Sequence, residues 1–249
     1  MRKHRRLAVP TDTPPADDLK AALEPRSVAV IGASTNPNKI GGRPIAYMTR
    51  FGYRGKIYPI NPNSPEVQGH KSYPDLAALP EAPDLVVVAV GLLGDQFEQE
   101  NDAAAAASVA LVNFAWPVAA LAEVRRRLVA QGFGRILVIS SVASIRVRRN
   151  AYLYGGAKAG LDRLCVGMAE SLEGTGVRLQ LLRPGVVRTR MTKGQAPVPF
   201  TTGPEEVAGY VMKGLSTNDL VIWSPPVLRY AFAVLRHLPR PIWSKVADR

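Results

Sequence analysis

The sequence predicts an α/β protein, a single doubly wound, Rossmann-like parallel sheet flanked by helices. Three observations carry that expectation. Short runs at 27–32, 56–60 and 84–91 are rich in β-branched residues and largely apolar throughout, as strands buried on both faces are. Helical stretches separate them, so each connection is a crossover, and right-handed crossovers wind such a sheet. The first run ends in glycine and opens a glycine-containing loop before a helix, where open α/β sheets hold phosphates. With 249 residues, 47% of them apolar, the chain can form one substantial core and needs no second domain.

Residues 1–22 are basic and then proline- and acid-containing, and read as a flexible leader with no apolar core long enough for a secretory signal. One domain is expected over 23–249. Its first strand is SVAVIG, Ser27 to Gly32, followed by the loop GASTNPNKIGG and the helical stretch PIAYMTRFG. The second strand, Lys56 to Ile60, is closed by Pro59 and Pro62, and Asn61 stands where an acidic residue would hydrogen-bond an adenosine ribose. A short helix is expected around Asp75 to Leu79, then an apolar strand, DLVVVAVGLLG, that ends in Gly91. Ala103 to Ala122 is uncharged and long enough to span a bilayer. Its alanines are weakly hydrophobic and Asn113 and Pro117 lie near its middle, so it reads as a helix buried inside the protein. A further buried strand ends in Ser140-Ser141, and the tail from about Val227 reads as an amphipathic basic helix suited to a membrane surface, its own domain or a second subunit.

Composition narrows the function. Cys165 is the single cysteine, so an intrachain disulfide and a multi-cysteine metal site are excluded, and a cytoplasmic location follows, with peripheral contact to the inner face of the cell membrane left open. His4, His70 and His237 have no ligand-like spacing, which argues against zinc and against a Ser-His-Asp hydrolase. No metal is expected. The net charge of +12 invites a polyanion, but the basic residues are dispersed except at the ends and in Arg146–Arg149, and no nucleic-acid motif supports them.

The stretch ISSVASIRVRRNAYLYGGAK carries the chemistry. Reduction of a carbonyl needs a proton at oxygen as hydride reaches carbon, and Tyr154 is the candidate donor. A free phenol titrates near about 10, and Lys158, four residues along the same helix, is placed to favour the phenolate and lower that value. Ser141, at the carboxyl end of its strand, is placed to hydrogen-bond the substrate oxygen. Pro117 lies four residues after Asn113, so its ring obstructs that carbonyl and its missing N–H leaves the carbonyl free. A surface tyrosine with a solvated lysine, and a plain proline kink, are the bland alternatives.

Two resemblances add to this reading. LEPRSVAVIGAS, the Pro37-x-Lys39-x-Gly41 loop, YPINP and DLVVVAV resemble the CoA-binding domain of ADP-forming acyl-CoA synthetases and succinyl-CoA ligase α subunits. That likeness implies CoA contacts at Ser34, Lys39 and Asn61. From about Asp84, the alanine-rich helix, GRILVISSVA, the Tyr-Gly-Gly-Ala-Lys run and RPGVVRTRM resemble a short-chain dehydrogenase/reductase, closest to the decaprenylphosphoryl-2-keto-ribose reductases, whose tail LRYAFAVLRHLPRPIW also resembles. Ser141 precedes Tyr154 by thirteen residues and Asn113 precedes Ser141 by twenty-eight, as in that family.

The second resemblance implies a keto-reductase with NAD(H) or NADP(H) as cofactor, and CoA as the alternative ligand of the same cradle. The implied catalytic residues are Asn113, which holds a relay water, Ser141, Tyr154 and Lys158, the last also binding ribose. The implied cofactor contacts are Gly32, Ala33, Ser34, Lys39, Ile40, Gly41, Asn61, Gly91, Tyr154, Lys158, Pro184, Gly185, Val187 and Thr189. Arg188, Arg190 and Lys193 would open a mobile segment over the substrate, and Arg146, Arg148 and Arg149 would border the same mouth. The implied substrate is a small molecule or a sugar linked to a lipid phosphate, and the implied assembly a homo-oligomer. The two likenesses meet near Asp84 to Gly91, so the chain reads as a chimera of a CoA-binding-like half (23–90), a reductase-like half (91–226) and a tail (227–249), natural or designed. One outer strand of the dehydrogenase sheet is then missing. A non-enzymatic CoA- or nucleotide-binding module and an inactive chimera are the competing readings.

Overall fold

The computed structural model describes residues 24–192 and 198–247. The leader expected at 1–22 and Lys193 lie outside the described residues, as do the side chains of Arg190 and Lys245. The main sheet is six-stranded and parallel throughout. It is formed by β1 (Ser27–Ile31), β2 (Lys56–Ile60), β5 (Leu85–Val88), β6 (Gly134–Ile139), β7 (Val177–Pro184) and β8 (Val221–Ser224), in the order β2-β1-β5-β6-β7-β8. A two-stranded ribbon, β3 (Glu66–Val67) and β4 (His70–Lys71), lies between β2 and β5 in the chain. The helices are α1 (Arg43–Arg50), α2 (Gln96–Asn101), α3 (Ala103–Ala110), α4 (Trp116–Gln131), α5 (Tyr152–Ser171), α6 (Pro204–Leu215), α7 (Leu228–Leu235) and α8 (Arg240–Ala247).

Alternate residues of each strand enter opposite layers, which is why the strands are apolar throughout. Ala29, Ile31, Val86, Val88, Ile136 and Val138 pack with Leu121, Leu128 and Leu161 of α4 and α5. Val28, Val30, Val87, Leu137, Leu182 and Ile222 pack on the other face with Ile45 of α1. The strand order reverses at β1, with β2 on one side and β5 on the other, so the crevice for a ligand opens between the carboxyl ends of β1 and β5.

Among the described residues the sheet stops at β2. Its rim is closed by Tyr73, which gives its N–H to the Pro59 carbonyl at 2.9 Å and takes the Asn61 N–H at 2.9 Å. The Pro59 carbonyl points to this rim, as its missing N–H would, so the strand runs through the proline to Ile60.

Three local expectations are corrected. Asp75 to Leu79 is a turn, not a helix: Pro74 and Pro80 bracket five residues, and the Asp75 carboxylate takes the Ala78 N–H at 2.9 Å. Ala103 to Ala122 is helical but not buried, because one stripe, Val109, Asn113, Pro117 and Leu121, faces the protein. Leu111, Phe114 and Trp116 remain exposed. The tail is two short helices, broken before Pro239, instead of one.

Candidate functional site

The loop after β1 is built by close backbone approach. Gly32 has φ +80°, which favours glycine, and a Cβ there would stand 2.6 Å from Val90 Cγ2. A Cβ on Gly41 would overlap the Gly32 carbonyl oxygen. The loop is folded on itself: the Lys39 N–H reaches the Asn36 carbonyl at 3.1 Å, and the Gly42 and Arg43 N–H groups reach the Lys39 carbonyl at 3.0 Å each. Ala33 gives its N–H to the Ile60 carbonyl at 3.2 Å. Asn61 returns the contact, donating Nδ2 to the Ala33 carbonyl at 2.9 Å while its Oδ1 takes the Asn63 N–H at 2.8 Å. Ser34 Oγ takes the Asn36 N–H at 3.2 Å.

Sequence reasoning missed Gln68. It sits at φ +52° in the tip of the β3–β4 ribbon and donates Nε2 to the carbonyls of Ser34 (2.8 Å) and Gly42 (3.0 Å). The φ value is uncommon for a residue with a side chain, and these two bonds hold it. The only signal in the sequence was the pair Gln68-Gly69 at a turn. Ser34 and Asn61, expected as ligand contacts, therefore shape the cradle through their side chains, and Lys39 and Ile40 lie on its lip, Lys39 exposed.

Across the crevice, Gly91 follows β5. A Cβ on Gly91 would lie 3.5 Å from Asn113 Oδ1 and 3.6 Å from Lys158 Nζ, so this glycine lies against both. Asn113 is fully buried in a π turn, Leu111–Ala115, between α3 and α4. Its Nδ2 donates to the carbonyls of Leu92 (2.7 Å) and Val109 (2.9 Å), and its Oδ1 accepts from the Leu92 N–H at 3.2 Å. The helix widens just where Pro117 has no N–H to offer.

Tyr154 and Lys158 lie in the first two turns of α5 and face the end of β6. The Ser141 hydroxyl lies beside the Tyr154 phenol and accepts the Ala143 N–H at 3.1 Å. Lys158, 2% exposed, donates Nζ to the carbonyls of Val90 (3.0 Å) and Ile139 (3.1 Å). These positions correct one electrostatic expectation. Burial pushes the Tyr154 phenol above its ordinary value, and the opposing influence is the Ser141 hydroxyl, not the lysine. Lys158 is itself pulled down to about 8 by burial, with Cys165 opposing.

The segment after β7 is also assembled. Gly185 donates to the Ser224 carbonyl at 2.9 Å, and a Cβ there would meet Leu228 Cδ1 at 2.8 Å. Val187 bridges Thr202, and Thr189 is folded into a short turn, its Oγ1 taking the Met191 N–H at 3.2 Å. Arg188 is held by the Thr201 carbonyl (3.2 Å) and Glu206 (3.3 Å). Arg146 is also committed: it donates to the Leu235 carbonyl at 2.6 Å and lies 4.6 Å from the Trp243 ring centroid, so it anchors the tail.

The structure thus brings together Ser141, Tyr154, Lys158, Asn113 and Gly91, and places the cradle beside them through Val90. Val90 packs its side chain against Gly32 and offers its carbonyl to Lys158.

An open parallel sheet with a glycine cradle at its switch point defines a Rossmann-like nucleotide-binding fold. A short-chain dehydrogenase from Burkholderia cenocepacia J2315 in complex with NADP shares it, with TM-score 0.72 and 16% identity over 88% of this chain and 96% of that one. The CoA binding domain family matches residues 26–169. An uncharacterized oxidoreductase of Streptomyces coelicolor is 32% identical over 222 residues, covering 89% of this chain and 87% of that protein. The chain belongs to the CoA binding domain family and to one family with the Streptomyces protein. An uncharacterized oxidoreductase of Mycobacterium tuberculosis is 44% identical over 160 residues, and the match spans 64% of this chain and 64% of the length of that relative. An ADP-forming acetate–CoA ligase of Archaeoglobus fulgidus is 40% identical over 73 residues, 29% of this chain and 11% of the ligase. The CoA-binding match runs through β5 and on into α5, past the junction expected near Asp84 to Gly91.

Proposed function

We propose that the chain reduces a keto group with NADH or NADPH. The observation that carries this reading is Val90, whose side chain bounds the cradle at Gly32 and whose carbonyl holds Lys158. The Gly32–Gly41 loop would hold the phosphates of a dinucleotide, and Tyr154 and Lys158 stand on the other side of Val90 from that loop. The cradle fits phosphates, since Gly32 and Gly41 leave no room for side chains and Lys39 supplies positive charge at its lip. Asn61 offers no carboxylate to a ribose phosphate, so both dinucleotides are admitted. The neighbours include an NADP complex and a 4-hydroxyisoleucine dehydrogenase complexed with NADH, which supports this cofactor class.

The nicotinamide supplies the hydride when bound. Burial keeps the Tyr154 phenol protonated and ready to donate to the carbonyl oxygen. The Ser141 hydroxyl orients that oxygen, and Lys158 steadies the charge left on the phenol and meets the ribose. Asn113 fixes the Leu92 backbone behind them, and the Pro184–Thr189 segment would hold the nicotinamide end.

The finer substrate reading, a 2-keto pentose on a polyprenyl phosphate, rests on the likeness to decaprenylphosphoryl-2-keto-ribose reductases. Exposed Val227, Tyr230, Val234 and Ile242 beside Arg229, Arg236 and Arg240 support tail contact with an anionic membrane. Exposed Leu111, Phe114 and Trp116 support pairing with a second copy. The family match favours a second reading, CoA binding without chemistry. Calorimetric titration with NADH, NADPH and CoA separates the two: tight CoA binding with neither dinucleotide bound rejects the reductase. Tyr154→Phe is expected to lower reduction by about 10²–10⁴-fold with dinucleotide affinity retained; unchanged turnover rejects the mechanism.

A further inference from the structure

Three side chains spaced one turn apart on α5 grip three consecutive residues at the end of β6. Tyr154 lies beside the Ser141 hydroxyl, Lys158 donates to the Ile139 carbonyl at 3.1 Å, and Asp162 accepts the Ser140 hydroxyl at 2.9 Å. The third contact has no part in the chemistry described above, and it is the most heavily bonded. Asp162 is 4% exposed, and its Oδ2 also accepts from Ser144 Oγ at 2.9 Å and from Arg183 Nε at 3.0 Å. Arg183 Nη2 reaches Oδ1 at 2.5 Å, completing a two-pronged pair.

Three of the donors approach Asp162 Oδ2 and one meets Oδ1, so the carboxylate is tied to three side chains and its charge is matched by the largely buried guanidinium. Ser144 carries the constraint onward: its single hydroxyl proton is shared between Asp162 Oδ2 and the Ser141 carbonyl, 2.7 Å away. Arg183 carries it the other way, being the residue before Pro184 and Gly185, where its guanidinium lies 5.3 Å from the Trp223 ring centroid. One carboxylate therefore joins the Ser141 turn, the Tyr154 helix and the strand that leads into the nicotinamide-facing segment.

We propose that Asp162 is a positioning residue, acting through Ser144 to hold Ser141 against the Tyr154 phenol and through Arg183 to set the Pro184–Gly185 segment. This rests on the reductase reading. A helix-to-strand ion pair with a structural role alone would change stability and leave the behaviour of Tyr154 unaltered. Positioning changes the phenol, because the neighbouring Ser141 hydroxyl opposes the upward push of burial and its place is set by the Ser144 contact to the Ser141 carbonyl.

The test uses Ser144→Ala and Ser144→Thr, which spare the buried ion pair, together with Asp162→Asn. The first readout is titration of the Tyr154 phenol by NMR with ring-labelled tyrosine, assigned by Tyr154→Phe, and it needs no activity. The second is kcat and KM across pH for a ketone substrate. Ser144→Ala is expected to fold, move the Tyr154 titration upward and lower kcat about tenfold or more with KM for the dinucleotide unchanged. Ser144→Thr is expected to restore both. Asp162→Asn, where it folds, is expected to add a rise in dinucleotide KM through Arg183. A folded Ser144→Ala protein with the wild-type Tyr154 titration overturns the proposal. If the wild type reduces no ketone, the reductase reading fails, and the NMR titration still decides whether the clamp acts on Tyr154.

Discussion

The two rims of the crevice between β1 and β5 are held by different physics. On the β1 side, the loop from Gly32 to Gly42 is fixed by neutral bonds: Asn61 and Gln68 amides to carbonyls, and backbone groups to one another. On the side of β6 and β7, the anchoring groups are ionisable and buried, with Lys158 on two carbonyls and Asp162 on Arg183. A rim that receives phosphate needs shape and unspent positive potential, which neutral bonds leave in place. A rim that moves a proton needs altered proton affinities, which burial provides.

Breaking the neutral rim should cost most through sterics. Gly41→Ala drives a methyl group into the Gly32 carbonyl, so the loop must open. A stability loss of about 1–3 kcal/mol is expected in denaturant unfolding, with dinucleotide and CoA binding lost together in titration. Retained binding of either ligand would show that the cradle is not the shared site.

On the charged rim, Lys158 gives a pH signature. Its folded pKa of about 8 lies below the usual lysine value of about 10.4. Below pH 8 both folded and unfolded forms hold the proton, and the folded form carries the full cost of the buried ammonium. Between 8 and about 10.4 only the unfolded form holds it, so this group makes stability rise with pH. The total is on the order of 3 kcal/mol. Lys158→Met should abolish that rise in urea midpoints measured across the window, and should be at least as stable as wild type at pH 7 while losing activity. An equal slope in both proteins would refute burial as the cause.

The smallest effect sharpens the neutral side. Gln68→Ala removes two hydrogen bonds to the loop and is expected to cost about 1–2 kcal/mol. Weaker dinucleotide binding should accompany it, with kcat at saturation near wild type, because the proposed catalytic groups lie across the crevice. A fall in kcat alone would contradict the division between the rims.

Much of this was readable in the chain. Continuous apolar runs located β1, β2 and β5, and the missing outer strand followed from there being room for only two strands before β5. Tyr154 and Lys158 were singled out by helical spacing, since a helix repeats its face every three to four residues, Ser141 by its place at a strand end, and Asn113 by Pro117 and the reductase resemblance. Asp162 had the same signal, lying one turn beyond Lys158 on that face, yet an acid within an apolar helix reads as a surface residue until its partner is known. Arg183 and Gln68 gave weaker signals still. The expected helix at Asp75 to Leu79 failed because five residues between prolines form only a turn.

The sequence by itself located β1, β2, β5 and β6 and put Tyr154 and Lys158 on one helix face beyond a strand end, because periodicity and strand-end position are local properties. Only the tertiary structure decided their proton affinities and the shape of the cradle. The phenol lies above its ordinary value and the lysine below because desolvation depends on what surrounds a group, not on its neighbours in sequence. The carbonyl that fixes Lys158 belongs to Val90, 68 residues earlier, and the amide that fixes Ser34 belongs to Gln68, 34 residues later. Distances of that kind along the chain are closed by the packed sheet, and no spacing rule contains them.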